Sequence, residues 1–243
     1  MTRLADLHPQ EDEADEEIPD RHRFRRRRWV ALLAVVTVLA LGYLVVFTSL
    51  FGVHAVEVVG ARTIPADTVR AAAAIEPGTP LVRLDTDEVR ARVAKLPKVF
   101  SVDVSRSFPG TVEIAVTERT PVAVVPSADG VHLVDGTGLD YEIVKQRPAG
   151  LPELAVPSAS PDDPATRACV TILAAAPQQL RAQLVKVSSK TGGDVELVLG
   201  DGRVVKWGSA ENSQRKAAVL APLLTRPGKI YDVTTADFPT VAG

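Results

Sequence analysis

Cysteine is almost missing: Cys169 is the only one in 243 residues. A single thiol closes no intrachain disulfide. With four scattered histidines it does not supply the spacing of a structural zinc site. The sequence has no excess of basic charge either. From Gly52 to Gly243 there are 22 acidic and 21 basic residues, which is not the face of clustered Lys and Arg that a nucleic-acid surface requires. Asn212 is followed by Ser213 and Gln214, so it is no glycosylation acceptor. No serine lies in a G-x-S-x-G elbow.

One stretch lacks charge altogether. Trp29 to Phe51, "WVALLAVVTVLALGYLVVFTSLF", is 23 uncharged residues. At ~1.5 Å per residue, a helix of this length crosses a hydrocarbon core of ~30 Å. Arg25, Arg26, Arg27 and Arg28 abut it on one side, Trp29 suits the interface, and no comparable basic cluster follows. The positive-inside rule therefore places residues 1–28 in the cytoplasm and the remainder outside it. A cleaved signal peptide, with Val53-His54-Ala55 as its small-residue site, is the rival reading. The apolar run is much longer than the ~7–15 residues of a signal core, so a retained anchor is favoured. A twin-arginine export signal meets the same objection. Ahead of the run, residues 1–28 hold 8 acidic residues and 7 arginines, segregated for the most part into "EDEADEEIPD" and "RHRFRRRR", which predicts a disordered tail over 1–28. The arginines set topology and can also meet anionic head groups.

After the run the pattern becomes that of folded α+β structure. "VHAVEVVG" (53–60) reads as a strand and "TIPADTVRAAAAI" (63–75) as a helix, with Pro65 and Asp67 in its first turn. Asp85 and Glu88 have the spacing of a capping box, followed by Val89, Val93 and Leu96 at helical intervals. "VFSVDVSRSF" (99–108) alternates, with Phe100, Val102 and Val104 on one face. Pro109-Gly110 turns the chain into "TVEIAVTE", with Val112, Ile114 and Val116 inward. The order is β-α-α-β-β, two helices covering a small sheet.

A second unit follows. "VHLVDGTGLDYEIV" reads as strand, turn, strand, and "GLPELAVPSASPDDP" as a loop. Asp163-Pro164 opens a helix to about Ala176, with a second segment from Pro177 to Leu184. "LVKVSS", "DVELVL" and "RVVKWG" are strands, the last two joined at Gly200-Asp201-Gly202. Ser209 is expected to cap a helix running to Leu224 that Pro222 kinks or shortens. "KIYDVTT" closes the pattern as a last strand, stopped by Asp237-Phe238-Pro239.

Candidate chemistry is sparse. Gly136-Thr137-Gly138 is followed by strand-like residues, so a hairpin turn fits better than a phosphate loop. Asp162-Asp163 and Asp85-Thr86-Asp87 sit at helix N-termini, which explains them without metal. His54 and His132, the two histidines beyond the apolar run, lie in strand patterns, and Cys169 lies on an apolar helix. A membrane-anchored extracytoplasmic cell-wall enzyme is the alternative function. It needs a nucleophile–base pair or a metal cluster, and neither is visible.

The segments "VEVVGARTIPADTV", "GTPLVRLDTDEV" and "LPKVFSVDVSRSFPGTVEIAVTERTPVA" resemble a POTRA domain of the FtsQ/DivIB family of bacterial cell division proteins. "VHLVDGTGLDY", "VVKWGSAENSQRKAAVLAPLL" and "IYDVTTADFPTV" resemble the opening hairpin, late strand with helix, and last strand of that family's β domain. The likeness runs from about residue 30 to the end. It implies a cytoplasmic tail (1–28), a transmembrane helix (29–51), a POTRA domain (53–119) and a mostly antiparallel β domain with packed helices (122–241). It also implies a non-catalytic scaffold enriched at the division septum, with no cofactor, metal, nucleic acid or small-molecule substrate. Its expected partners are FtsB- and FtsL-type single-pass division proteins. In the family a partner segment adds to the late strand of the β domain. On this sequence that assigns partner contact to Lys229, Ile230, Tyr231, Asp232, Val233, Thr234 and Thr235, with Tyr231 as the expected hot spot.

Overall fold

The computed structural model describes residues 21–47 and 52–243. Helix α1 runs from Arg21 to Phe47. It starts eight residues ahead of Trp29, so the expectation of disorder up to residue 28 is corrected over 21–28. Arginine is a good helix former, and the apolar run continues the helix from it. The tail over 1–20 and the end of the run at 48–51 lie outside the described residues.

The next unit has the expected β-α-α-β-β order. Strand β1 (Ala55–Val59) pairs parallel to β3 (Thr111–Glu118), and β2 (Val99–Ser107) pairs antiparallel to β3 on its other side. Helices α2 (Ala66–Ala73) and α3 (Thr86–Val93) bury Val69, Ala73, Val89 and Val93 against Val104, Val112, Ile114 and Val116. Asp85 caps α3 by accepting from the N–H groups of Asp87 and Glu88. Glu88 does not return the bond; it pairs with Arg92 at 2.7 Å. Phe100 differs from the reading. A register shift between Val99 and Ser101 breaks the alternation, Val99 is buried in its place, and Phe100 turns outward.

The second unit is one nine-stranded sheet in the order β12-β11-β10-β9-β8-β7-β4-β5-β6. Its strands are β4 (Pro121–Ser127), β5 (Gly130–Asp135), β6 (Asp140–Val144), β7 (Glu153–Ala155), β8 (Leu184–Ser188), β9 (Val195–Leu199), β10 (Val204–Gly208), β11 (Ile230–Asp232) and β12 (Thr240–Ala242). Most neighbours are antiparallel. The exceptions are β4–β7, β7–β8 and β10–β11. Helices α4 (Pro164–Ala175), α5 (Gln178–Arg181) and α6 (Ser213–Leu223) share one core with the strands. Cys169, Ile172, Leu180 and Leu220 meet Val187, Leu197, Val205, Trp207 and Tyr231 there. Asp163 caps α4 through the Thr166 N–H at 2.8 Å. Ser209 does not cap α6. Asn212 holds that position, and the Ser209 carbonyl instead accepts from the buried Lys216 ammonium at 2.9 Å.

Candidate partner-binding edge

The closing segment folds as a short hairpin on the end of the large sheet. β11 lies parallel to β10, with Val204, Val205 and Lys206 beside Ile230, Tyr231 and Asp232. β12 then returns antiparallel to β11, setting Ala242, Val241 and Thr240 beside the same three residues. Lys229 donates its N–H to the Ala242 carbonyl at 3.0 Å and offers its own carbonyl to Val204. β11 is therefore an interior rung, with β10 on one side and β12 on the other. The outermost rung is β12, and among the described residues no strand pairs with its outer side.

This placement sorts the seven expected contact residues. Tyr231 is 1% exposed, and its hydroxyl lies 2.7 Å from the Arg226 carbonyl, so it anchors the hairpin from inside and is not a surface hot spot. Val233 is fully buried, and its N–H donates to the Lys206 carbonyl at 2.9 Å. Lys229, Thr234 and Thr235 are exposed, and Asp232 is half-buried with its carboxylate accepting from the Thr234 N–H. Ile230 is 38% exposed on the face of the sheet away from the helices. In register with it on that face stand Ala242, Val204 and Val198, an apolar row that runs to the open edge.

Sequence reasoning missed Phe238, which is 80% exposed in the loop between β11 and β12. Its N–H bonds the Thr235 carbonyl, and its neighbour Asp237 forms an ion pair with Arg215 of α6, so the loop that carries the ring is tied to α6. Its place directly before Pro239, where a strand is interrupted, was the available signal.

Arg25 to Arg28 and Trp29 lie on α1, and the described side chains Arg26, Arg27, Arg28 and Trp29 are exposed. Among the described residues no helix is long and apolar enough to cross a membrane. The described side chains of α1 run from Arg26 to Tyr43, so they include three arginines and stop short of Phe51.

Cys169 is fully buried in the core, and burial pushes its thiol up to about 12. An open cavity of about 490 Å³ beside α4 is lined by Val122, Leu151, Val170 and Leu173, with Arg181 its one charged residue. No group of three His, Cys, Asp or Glu side chains is placed to hold a metal among the described residues.

Two family profiles match successive parts of the chain. The family profile "POTRA domain, FtsQ-type" matches residues 51–119, and "Cell division protein FtsQ/DivIB, C-terminal" matches residues 123–238. A protein of Mycolicibacterium smegmatis named cell division protein FtsQ is 43% identical over 213 residues, 88% of this chain and 63% of that protein. The chain thus spans less than two thirds of that relative's length. Proteins of the same name from Mycobacteroides abscessus and Streptomyces collinus are 37% and 35% identical. These alignments cover 87% and 90% of this chain, and 68% and 89% of the relatives.

Proposed function

Since this chain belongs to the FtsQ/DivIB family of bacterial cell division proteins, we propose that it is a membrane-held scaffold of the division machinery, working by protein–protein contact. The family is one of non-enzymatic division proteins. In this reading Arg25 to Arg28 mark the cytoplasmic boundary, Trp29 sits at the interface, and Trp29 to Phe51 cross the membrane. The POTRA domain (53–119) and the β domain (122–241) stand outside the cytoplasm at the septum. Support for the span is the uncharged run itself, with Val30, Leu33, Val38 and Leu39 exposed along α1.

The partners are single-pass division proteins of the FtsB and FtsL type, captured at the closing hairpin. The observation that carries this is the unpaired outer side of β12 with Phe238 exposed beside it. An extended partner segment gains affinity from backbone hydrogen bonds to such an edge and specificity from alternate side chains. Lys229 to Thr235 then act one rung in. Tyr231 and Val233 hold the hairpin in place, while Ile230 extends the apolar row to meet the added strand. Co-purification with the full chain tests this. Phe238→Asp should lower partner recovery about tenfold or more, since buried aromatics dominate interface energies. Unchanged recovery would show that the partner does not sit here.

A further inference from the structure

We propose that the end of the POTRA domain nearest Gly52 rests on the lipid head-group layer, through Phe108 and Val82. This rests on the reading of Trp29–Phe51 as a membrane span. β1 and β3 both begin at this end and β2 finishes at it, because β1 and β3 are parallel and β2 is antiparallel to them. The emerging chain is stitched to two neighbouring segments at once. Gly52 bridges Pro80, Val53 donates its N–H to the Thr79 carbonyl at 2.9 Å, and Gly78 donates to the Val53 carbonyl at 2.8 Å. On the other side, the His54 N–H donates to the Gly110 carbonyl at 2.7 Å. Gly110 is packed so closely that a Cβ there would lie 2.3 Å from the His54 ring and 2.9 Å from the Gly52 carbonyl oxygen.

His54 is three residue steps beyond Phe51, the last of the apolar run. A fully extended chain covers at most ~3.6 Å per residue, so His54, which bonds the Gly110 turn, lies within about 11 Å of the end of the run. The head-group layer on each side of a bilayer is ~5–7 Å deep, so a domain end on so short a leash meets it. The side chains presented there suit it. Phe108, in the turn from β2 to β3, is 59% exposed, and Val82, in the 3-10 turn Leu81–Arg83, is 45% exposed. Arg83 and Arg106 flank them, and Arg106 donates to the Leu84 carbonyl, which ties the two turns together. Apolar tips with basic neighbours are the composition of interfacial membrane contacts.

The test uses the full chain in nanodiscs of phosphatidylethanolamine and phosphatidylglycerol. Val82→Cys, Phe108→Cys, Phe238→Cys and Ala40→Cys each carry an environment-sensitive fluorophore, and the native Cys169 is buried and does not compete for label. With nitroxides attached to the lipids, labels at 40, 82 and 108 should be quenched and the label at 238 should not. Quenching at 40 with none at 82 and 108 overturns the lipid contact while leaving the span, and points to a protein surface instead. No quenching at 40 overturns the span and the contact with it.

Discussion

His132 stands between two carboxylates, with Nε2 2.9 Å from Asp129 and Nδ1 2.5 Å from Asp140. The hydrogen bond to Asp129, then that to Asp140, raises the imidazole above its ordinary value. A base whose folded pKa is raised contributes stability that is full below the unfolded value of ~6.5 and is lost as pH climbs through the folded one. Ring titration by NMR should place His132 above its ordinary value, and His132→Asn should flatten the decline in stability above neutral pH. A titration at or below the ordinary value would refute the bridging arrangement. Tyr231 is a second residue with one job. Tyr231→Phe removes the hydroxyl that meets the Arg226 carbonyl and should cost about 1 kcal/mol. Tyr231→Ala should cost about 3–5 kcal/mol by emptying a fully packed site. Urea midpoints followed by emission of the buried Trp207 read both. A partner-affinity loss without a stability loss in Tyr231→Phe would return Tyr231 to the contact surface.

Only Arg119 and Thr120 lie between β3 and β4, yet the joint is densely tied. Burial alone would raise the Glu118 carboxyl, but N–H and hydroxyl donors from Ile64, Thr63 and Arg62 outweigh it and hold it down to about 2. Arg119 reaches both ways. Its Nη1 meets Asp135 of β5 at 2.5 Å, its Nε donates to the Pro97 carbonyl, and its guanidinium lies 5.7 Å from the Phe100 ring centroid. Lys98 and Glu142 add a second tie at 2.6 Å. Asp135 is 2% exposed, so Arg119→Ala leaves its charge buried and should cost about 3 kcal/mol, the low end for such pairs because the turn residues Thr137 and Leu139 still donate to it. The same Trp207 unfolding curve measures this, and a loss under about 0.5 kcal/mol, as at an exposed pair, would contradict it. The elements with strong periodicity, such as β3, β9 and α4, were legible in the sequence, as were the Asp85 and Asp163 caps. β7 and β12 were not. Each has three residues; β7 is a strand only because the distant β4 and β8 flank it, and β12 only because it folds back on β11. The outward turn of Phe100 needed a bulge that alternation cannot signal, and α6 starts behind Asn212, three residues beyond the serine expected to cap it. At the site the segment was legible but its edge was not, because pairing partners are non-local.

Across the whole molecule the joint and the open edge lie at opposite ends of the large sheet. β6, which carries Glu142 to the joint, is one terminal strand and β12 is the other. Eight inter-strand steps of ~4.8 Å separate them by roughly 38 Å. The sheet thus holds the unpaired side of β12 well away from the POTRA domain. A close backbone approach keeps that edge in shape. Gly208, with φ of 75°, ends β10, and a Cβ there would lie 2.8 Å from Thr234. Gly208→Ala should therefore destabilise the closing hairpin by more than about 1 kcal/mol and weaken partner capture with it. A variant as stable as the parent would contradict the close approach. The most direct test of the scaffold account is photocrosslinking in dividing cells, with the photoreactive residue placed in turn at each position from Lys229 to Ala242 and adducts identified by mass spectrometry. Adducts to single-pass division proteins should form from Phe238, Thr240 and Ala242 and not from the buried Tyr231 and Val233. No adduct to such a protein from any position of this hairpin would contradict it.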